Sequence, residues 1–139
     1  MIFIVGGRAQ GKLSYALSIY TDMRQRKNAA GSRKEEEKAE KPPAEAVPPV
    51  CDGAACTPQE LSRAGIVDHL HEFIRRYPEE EPRLREDAVV ICDEVGSGIV
   101  PADREEREFR ERVGRIGCRI AAEADSVIRI VCGIPVRLK

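Results

Sequence analysis

An α/β fold is predicted, with a mostly parallel sheet, helices on both faces and a C-terminal antiparallel strand. Three observations predict it. Short apolar runs alternate with longer amphipathic stretches, the pattern of strand–helix–strand units. The first run, Ile2 to Val5, leads through a glycine-rich turn, Gly6 to Gly11, into a helical segment beginning at Lys12. The last two runs, Val127–Val131 and Ile134–Leu138, are separated only by Cys132 and Gly133. That gap is too short for a crossover helix, so those two strands must pair antiparallel.

Each element has a local reason. Ile2-Phe3-Ile4-Val5 is uniformly apolar, as a strand buried on both faces should be. The following helix is expected over Lys12 to Lys27. Residues 28–49 are charged and proline-rich, with few large apolar groups, and are expected to form a disordered loop. A weak strand follows near Val47–Asp52. Thr57-Pro58-Gln59-Glu60 is a helix start, with a threonine cap, proline at the first helical position and glutamate at the third. That helix is expected to reach Tyr77, burying Leu61, Ile66, Leu70, Phe73, Ile74 and Tyr77. Glu79–Pro82 reads as a loop. Ala88–Cys92 reads as a buried strand ending in Asp93-Glu94. A long helix from Pro101 to Ala124 carries Phe109, Val113, Ile116 and Ile120 on one face. The whole of 1–139 is expected to be a single domain.

Composition narrows the function classes. The formal net charge is −1, with 34% charged residues, so no basic surface points to nucleic acid as a partner. Apolar runs of four or five residues are too short for a membrane span. The N-terminal apolar run has no basic flank, unlike a signal peptide. Five cysteines without regular spacing suit reduced thiols and a cytoplasmic location. Cys51 and Cys56 have no second pair to complete a zinc site. Cys92 and Cys132 lie in apolar runs and are expected in the core.

The chemistry concentrates in Gly6-Gly7-Arg8-Ala9-Gln10-Gly11-Lys12-Leu13. Strand, Gly-x-x-x-x-Gly-Lys, helix is the setting of a P-loop, so the fold is expected to be P-loop NTPase-like. Backbone N–H groups and the helix N-terminus would cradle phosphates, with Lys12 reaching the outer ones. A Ser or Thr normally follows the lysine and binds Mg²⁺; here Leu13 does. Ligands of open α/β sheets bind beyond the carboxyl ends of the strands. That rule singles out Asp52 for nucleotide or metal, Asp93 for metal, and Glu94 as a general base. The helix from Pro101 carries Arg104, Arg107, Arg110, Arg112, Arg115 and Arg119. Any of them could touch phosphate, but Glu106–Arg110, Glu108–Arg112 and Glu111–Arg115 also fit solvated i,i+4 pairs. His69 and His71, two residues apart on the expected helix, would point about 160° apart and could not share a metal. Partly exposed helix positions are the favoured reading for both.

The block Asp93-Glu94-Val95-Gly96-Ser97-Gly98-Ile99-Val100-Pro101, followed by Arg104, Arg107, Phe109-Arg110, Gly114-Arg115, Ala121, Ala122, Ala124-Asp125, Val127 and Gly133-Ile134, resembles the adenosylcobinamide kinase/adenosylcobinamide-phosphate guanylyltransferase family. Its N-terminal P-loop is similar too, and the likeness covers Ile2–Ala16 and Ala88–Lys139. The resemblance implies a cytoplasmic enzyme of cobalamin biosynthesis, commonly a trimer, that uses GTP or ATP, with Mg²⁺, to phosphorylate a corrinoid hydroxyl. It implies a second step through a guanylyl-histidine. This chain departs from the family at Leu13, at Asp93 (Asn in the family), at Gly117-Cys118 (Asn-Gln), and in having no histidine before Asp68. The expected function is therefore an adenosylcobinamide kinase without a clear guanylyltransferase half. The alternative is a non-catalytic nucleotide-binding subunit.

Overall fold

The computed structural model describes residues 1–31 and 50–139. Six strands and four helices follow in the order β1 (Ile2–Gly6), α1 (Lys12–Gly31), β2 (Val50–Asp52), α2 (Pro58–Arg63), β3 (Ile66–Asp68), α3 (Leu70–Arg76), β4 (Val89–Asp93), α4 (Arg104–Glu123), β5 (Ser126–Val131) and β6 (Ile134–Arg137). The sheet runs β2-β3-β4-β1-β5-β6. All neighbours are parallel except β5 and β6. This is the α/β, P-loop-like architecture that the strand–helix alternation predicts.

Alternation along the strands divides the core. Phe3, Val67, Val90, Cys92 and Val127 face Leu61, Leu70, Phe73, Ile74, Val113, Ile116 and Ile120 from α2, α3 and α4. Ile4, Ile66, Val89, Ile91, Ile128 and Ile130 form the other cluster with Ala16, Leu13, Leu17, Tyr20 and Met23 of α1. The α1 positions recur at three- and four-residue spacing, which lays one helix stripe along the sheet. Helix α1 runs past Lys27 to Gly31, so the first residues of the expected loop are helical; the rest of 28–49, including the start of the weak Val47–Asp52 strand, lies outside the described residues.

The single helix expected from Thr57 to Tyr77 is instead helix, strand, helix. The capping box is present, with Thr57 and Glu60 bonded reciprocally and Pro58 at the start. But α2 ends at Arg63, and Ala64 is extended. Gly65 sits so close to the Tyr20 ring that an added Cβ would lie 2.3 Å from its hydroxyl oxygen. Ile66 and Val67 then enter opposite core clusters, which is a strand's period of two. The apolar spacing of Leu61, Ile66, Leu70 and Phe73 imitates a helix, and only the β-branched pair after Gly65 marks the strand.

Candidate phosphate-binding site and its histidines

Parallel pairing gathers the sequence-selected residues on one edge. Gly6 of β1 is in register with Asp93 of β4, and Asp52 of β2 with Asp68 of β3. Asp68 was missed because the strand carrying it was read as helix.

The loop between β1 and α1 takes conformations that its glycines permit. Gly6 has φ 152°, and a Cβ there would meet the Ile130 carbonyl oxygen at 2.5 Å. Gly11 has φ 83° and Ala9 φ 58°. Gln10 fastens the loop to the β5–β6 turn: its carbonyl accepts from Gly133 N–H at 3.2 Å, and its side-chain oxygen accepts from Cys132 N–H. Cys132 and Gly133 both have positive φ, 50° and 80°, the geometry of a two-residue type I′ hairpin. Cys132 is therefore an exposed turn residue rather than a core one. The backbone N–H groups of Gly7 to Lys12 make no well-formed hydrogen bond among the described residues. Next to a helix N-terminus, that leaves a set of donors suited to an anion.

Lys12 is 6% exposed. Its Nζ lies 2.6 Å from Asp93 Oδ1 and donates to Gly7 O at 2.6 Å. The ammonium is thus held under the loop by a carboxylate from the adjacent strand. Leu13 turns away into the α1 core cluster. Asp93 is the one carboxylate placed against Lys12, and among the described residues no group of three or more His, Cys, Asp or Glu side chains could hold a metal.

The histidines differ most from expectation. Neither lies on a helix flank pointing away from the other: His69 caps α3 in the left-handed region, His71 is buried, and their ring centroids are 5.8 Å apart. His71 Nδ1 accepts the Asp93 backbone N–H at 3.3 Å. Its proton is therefore on Nε2, which faces Glu72 Oε1 at 3.4 Å and Asp93 Oδ2 at 3.7 Å. Burial pushes the His71 pKa down, against the opposing pull of Asp93 and Glu72. The unfolded chain therefore binds this proton more readily than the folded one. Stability from His71 is complete above its ordinary value of about 6.5 and declines as pH falls below it. Urea unfolding should show a midpoint that drops between about pH 7 and 5. His71→Asn should flatten that drop, and an unchanged slope in the variant would contradict the assignment.

Asp52 Oδ1 accepts from Ala54 N–H at 2.9 Å and from His69 Nδ1 at 3.1 Å. Burial raises its pKa, but these two hydrogen bonds outweigh it and the net shift is downward. Glu94 faces Arg129 with both oxygens, at 2.8 Å to Nε and 2.9 Å to Nη2. Its backbone N–H donates to Gly6 O at 3.1 Å. Glu94 thus ties the β4–α4 loop to β1 and β5. Cys51 and Cys92 are both pushed up to about 12, by burial above all, so neither supplies a thiolate.

The arginines of α4 also depart from the helix-pair pattern. Of the three expected pairs only Glu111–Arg115 forms, at 3.5 Å. Arg110 donates to Val95 O and Ile99 O, both at 2.7 Å, and Arg112 to Glu80 O at 2.9 Å. Glu106 pairs with Arg75, which lies 3.7 Å over the Phe109 ring. Arg110 therefore fixes the 95–99 loop beside the site. No helix among the described residues is long and apolar enough to cross a membrane.

Residues 56–138 match the family model described as cobinamide kinase / cobinamide phosphate guanyltransferase. A stretch of 51 residues is 49% identical to the bifunctional adenosylcobalamin biosynthesis protein CobU of Salmonella typhimurium, covering 37% of this chain and 28% of that protein. The Escherichia coli protein of the same name is 45% identical over 51 residues, with the same coverage. The matched stretch thus spans less than a third of either relative. The family model covers more than half of this chain, and the chain belongs to the cobinamide kinase / cobinamide phosphate guanyltransferase family.

Proposed function

We propose that this chain binds GTP or ATP in the loop from Gly6 to Leu13 and transfers the γ-phosphate to a hydroxyl of a cobinamide-type corrinoid. The observation that supports it most is Lys12, buried under a glycine loop whose N–H groups are left open and paired with a strand-end carboxylate. In this reading Lys12 exchanges Asp93 for the outer phosphates when nucleotide enters. Asp93, released, would be the side chain to hold a Mg²⁺ carried by the phosphates. Asp52, already engaged with His69 and its own loop, lies farther toward the sheet edge. Glu94 holds the loop over the site through Arg129. Mg²⁺, when bound, neutralises charge developing on the transferred phosphoryl group.

Both histidines of the chain are accounted for at the β3 end, and the Pro-rich stretch holds none, so we propose kinase activity without guanylyl transfer. Self-association, trimeric as in the resembling family, is supported by the apolar side chains Val131, Ile134, Val136 and Leu138 exposed along the edge hairpin. A cytoplasmic location is part of the same reading.

The test is equilibrium binding of labelled GTP and ATP with and without Mg²⁺. Micromolar binding that Mg²⁺ strengthens is expected, and no binding of either nucleotide would refute the reading. Leu13 allows a sharper version. Leu13→Ser should strengthen the Mg²⁺ dependence by supplying a hydroxyl ligand. Because Leu13 is half-buried in the α1 cluster, the same change should cost about 1–2 kcal/mol of stability. An unaltered Mg²⁺ dependence in a folded variant would show that position 13 does not face the ion.

A further inference from the structure

At the end of β3 the chain turns through a residue held in an uncommon conformation. His69 has φ 50° and ψ 44°. A side-chain-bearing residue in the left-handed region is disfavoured, and Gly or Asn is the usual occupant. The turn itself is needed by the backbone: His69 O accepts from Glu72 N–H at 2.9 Å and starts α3. A histidine at that place is not needed by the turn, and strained residues of this kind gather at functional sites.

The side chain supplies the reason. His69 Nδ1 lies 3.1 Å from Asp52 Oδ1 and 3.7 Å from Asp68 Oδ2. Ionised carboxylates only accept hydrogen bonds, so Nδ1 carries the proton and the lone pair is on Nε2. Nε2 makes no hydrogen bond among the described residues, and the side chain is 47% exposed. The two neighbouring histidines therefore hold opposite tautomers: His71 keeps its lone pair turned to the backbone, and His69 turns its own to solvent. An imidazole oriented by a carboxylate, with its basic nitrogen free, is the arrangement general-base catalysis needs. It also lies on the right edge of the sheet. The His69 ring is 5.8 Å from the His71 ring, His71 Nε2 is 3.7 Å from Asp93 Oδ2, and Asp93 Oδ1 is 2.6 Å from Lys12. The free nitrogen is thus linked to Lys12 through two intervening side chains, His71 and Asp93.

We propose that His69, oriented by Asp52, is the general base that takes the proton from the acceptor hydroxyl. The inference rests on the phosphoryl-transfer reading above. As the hydroxyl oxygen forms its bond to the γ-phosphorus, its proton passes to Nε2. The bond from the γ-phosphorus to the bridging oxygen breaks, and its electron pair leaves with the nucleoside diphosphate. Asp52 stabilises the imidazolium until the proton is given to water.

His69→Asn tests this without disturbing the turn, because asparagine suits the left-handed backbone. Three quantities are needed for parent and variant: GTP affinity, thermal stability, and single-turnover transfer of labelled γ-phosphate from GTP to cobinamide. Transfer should fall about a hundredfold or more, with GTP affinity within twofold and a melting temperature no lower than the parent's. Transfer within threefold of the parent would overturn the base assignment while leaving the kinase reading intact. A variant that loses stability and affinity together would show a structural residue and overturn it too. So would an acid-labile GMP adduct that disappears in the variant, because the ring would then be a nucleophile. If the parent binds GTP and transfers nothing, the kinase reading fails and the base assignment fails with it.

Discussion

Lys12→Ala should weaken GTP or ATP binding at least tenfold, about 1.4 kcal/mol or more. The lysine is the buried cation beneath the loop, and alanine cannot reach a phosphate. The variant also tests the latch. Removing Lys12 leaves Asp93 without its 2.6 Å partner, with His71 Nε2 3.7 Å from its other oxygen. A carboxylate stranded at a phosphate site repels the ligand, so Lys12→Ala should bind worse than the double variant Lys12→Ala/Asp93→Asn. Isothermal titration of the three proteins decides the matter. Equal affinity in the parent and Lys12→Ala would remove the loop from the nucleotide site.

The second large effect is on stability. Gly6→Ala should cost about 2–3 kcal/mol or more, read from urea unfolding, because two penalties combine there. The backbone angle of 152° disfavours a side chain, and the new methyl would lie 2.5 Å from the Ile130 carbonyl oxygen. That oxygen belongs to the neighbouring strand and cannot move without disturbing the β1–β5 pairing. Nucleotide binding should fall with it, since Gly6 is where strand becomes loop. A change under about 0.5 kcal/mol, the ordinary range for surface substitutions, would mean that β1 and β5 are not so close.

What could be read in advance follows from how local each signal is. The segment from Ile2 to Lys12 was legible because a strand, a glycine turn and a helix start are all encoded by neighbours in sequence. The same holds for β4, α4, the β5–β6 hairpin and the Thr57–Glu60 capping box. The stretch from Leu61 to Tyr77 was not legible, because a three-residue strand between two short helices leaves apolar residues at helix-like intervals. That error carried the histidines with it. On a continuous helix His69 and His71 diverge, whereas a strand end followed by a left-handed residue brings their rings within 5.8 Å. The partners of Arg110 and Arg112 were illegible for another reason. Their guanidinium groups reach backbone carbonyls far along the chain, Val95 and Ile99 for one and Glu80 for the other, and only the tertiary fold sets those distances. Spacing along a helix could show only the local pairs.

The proposed reaction is phosphoryl transfer from a loop-bound nucleotide to a corrinoid. It is tested most directly by incubating the protein with Mg²⁺, adenosylcobinamide and GTP labelled at the γ-phosphate, then separating the corrinoid from the protein and nucleotide. Label on the corrinoid, absent with Lys12→Ala, is the expected result. Bound GTP with no label on the corrinoid after many turnover times of an ordinary kinase would contradict it.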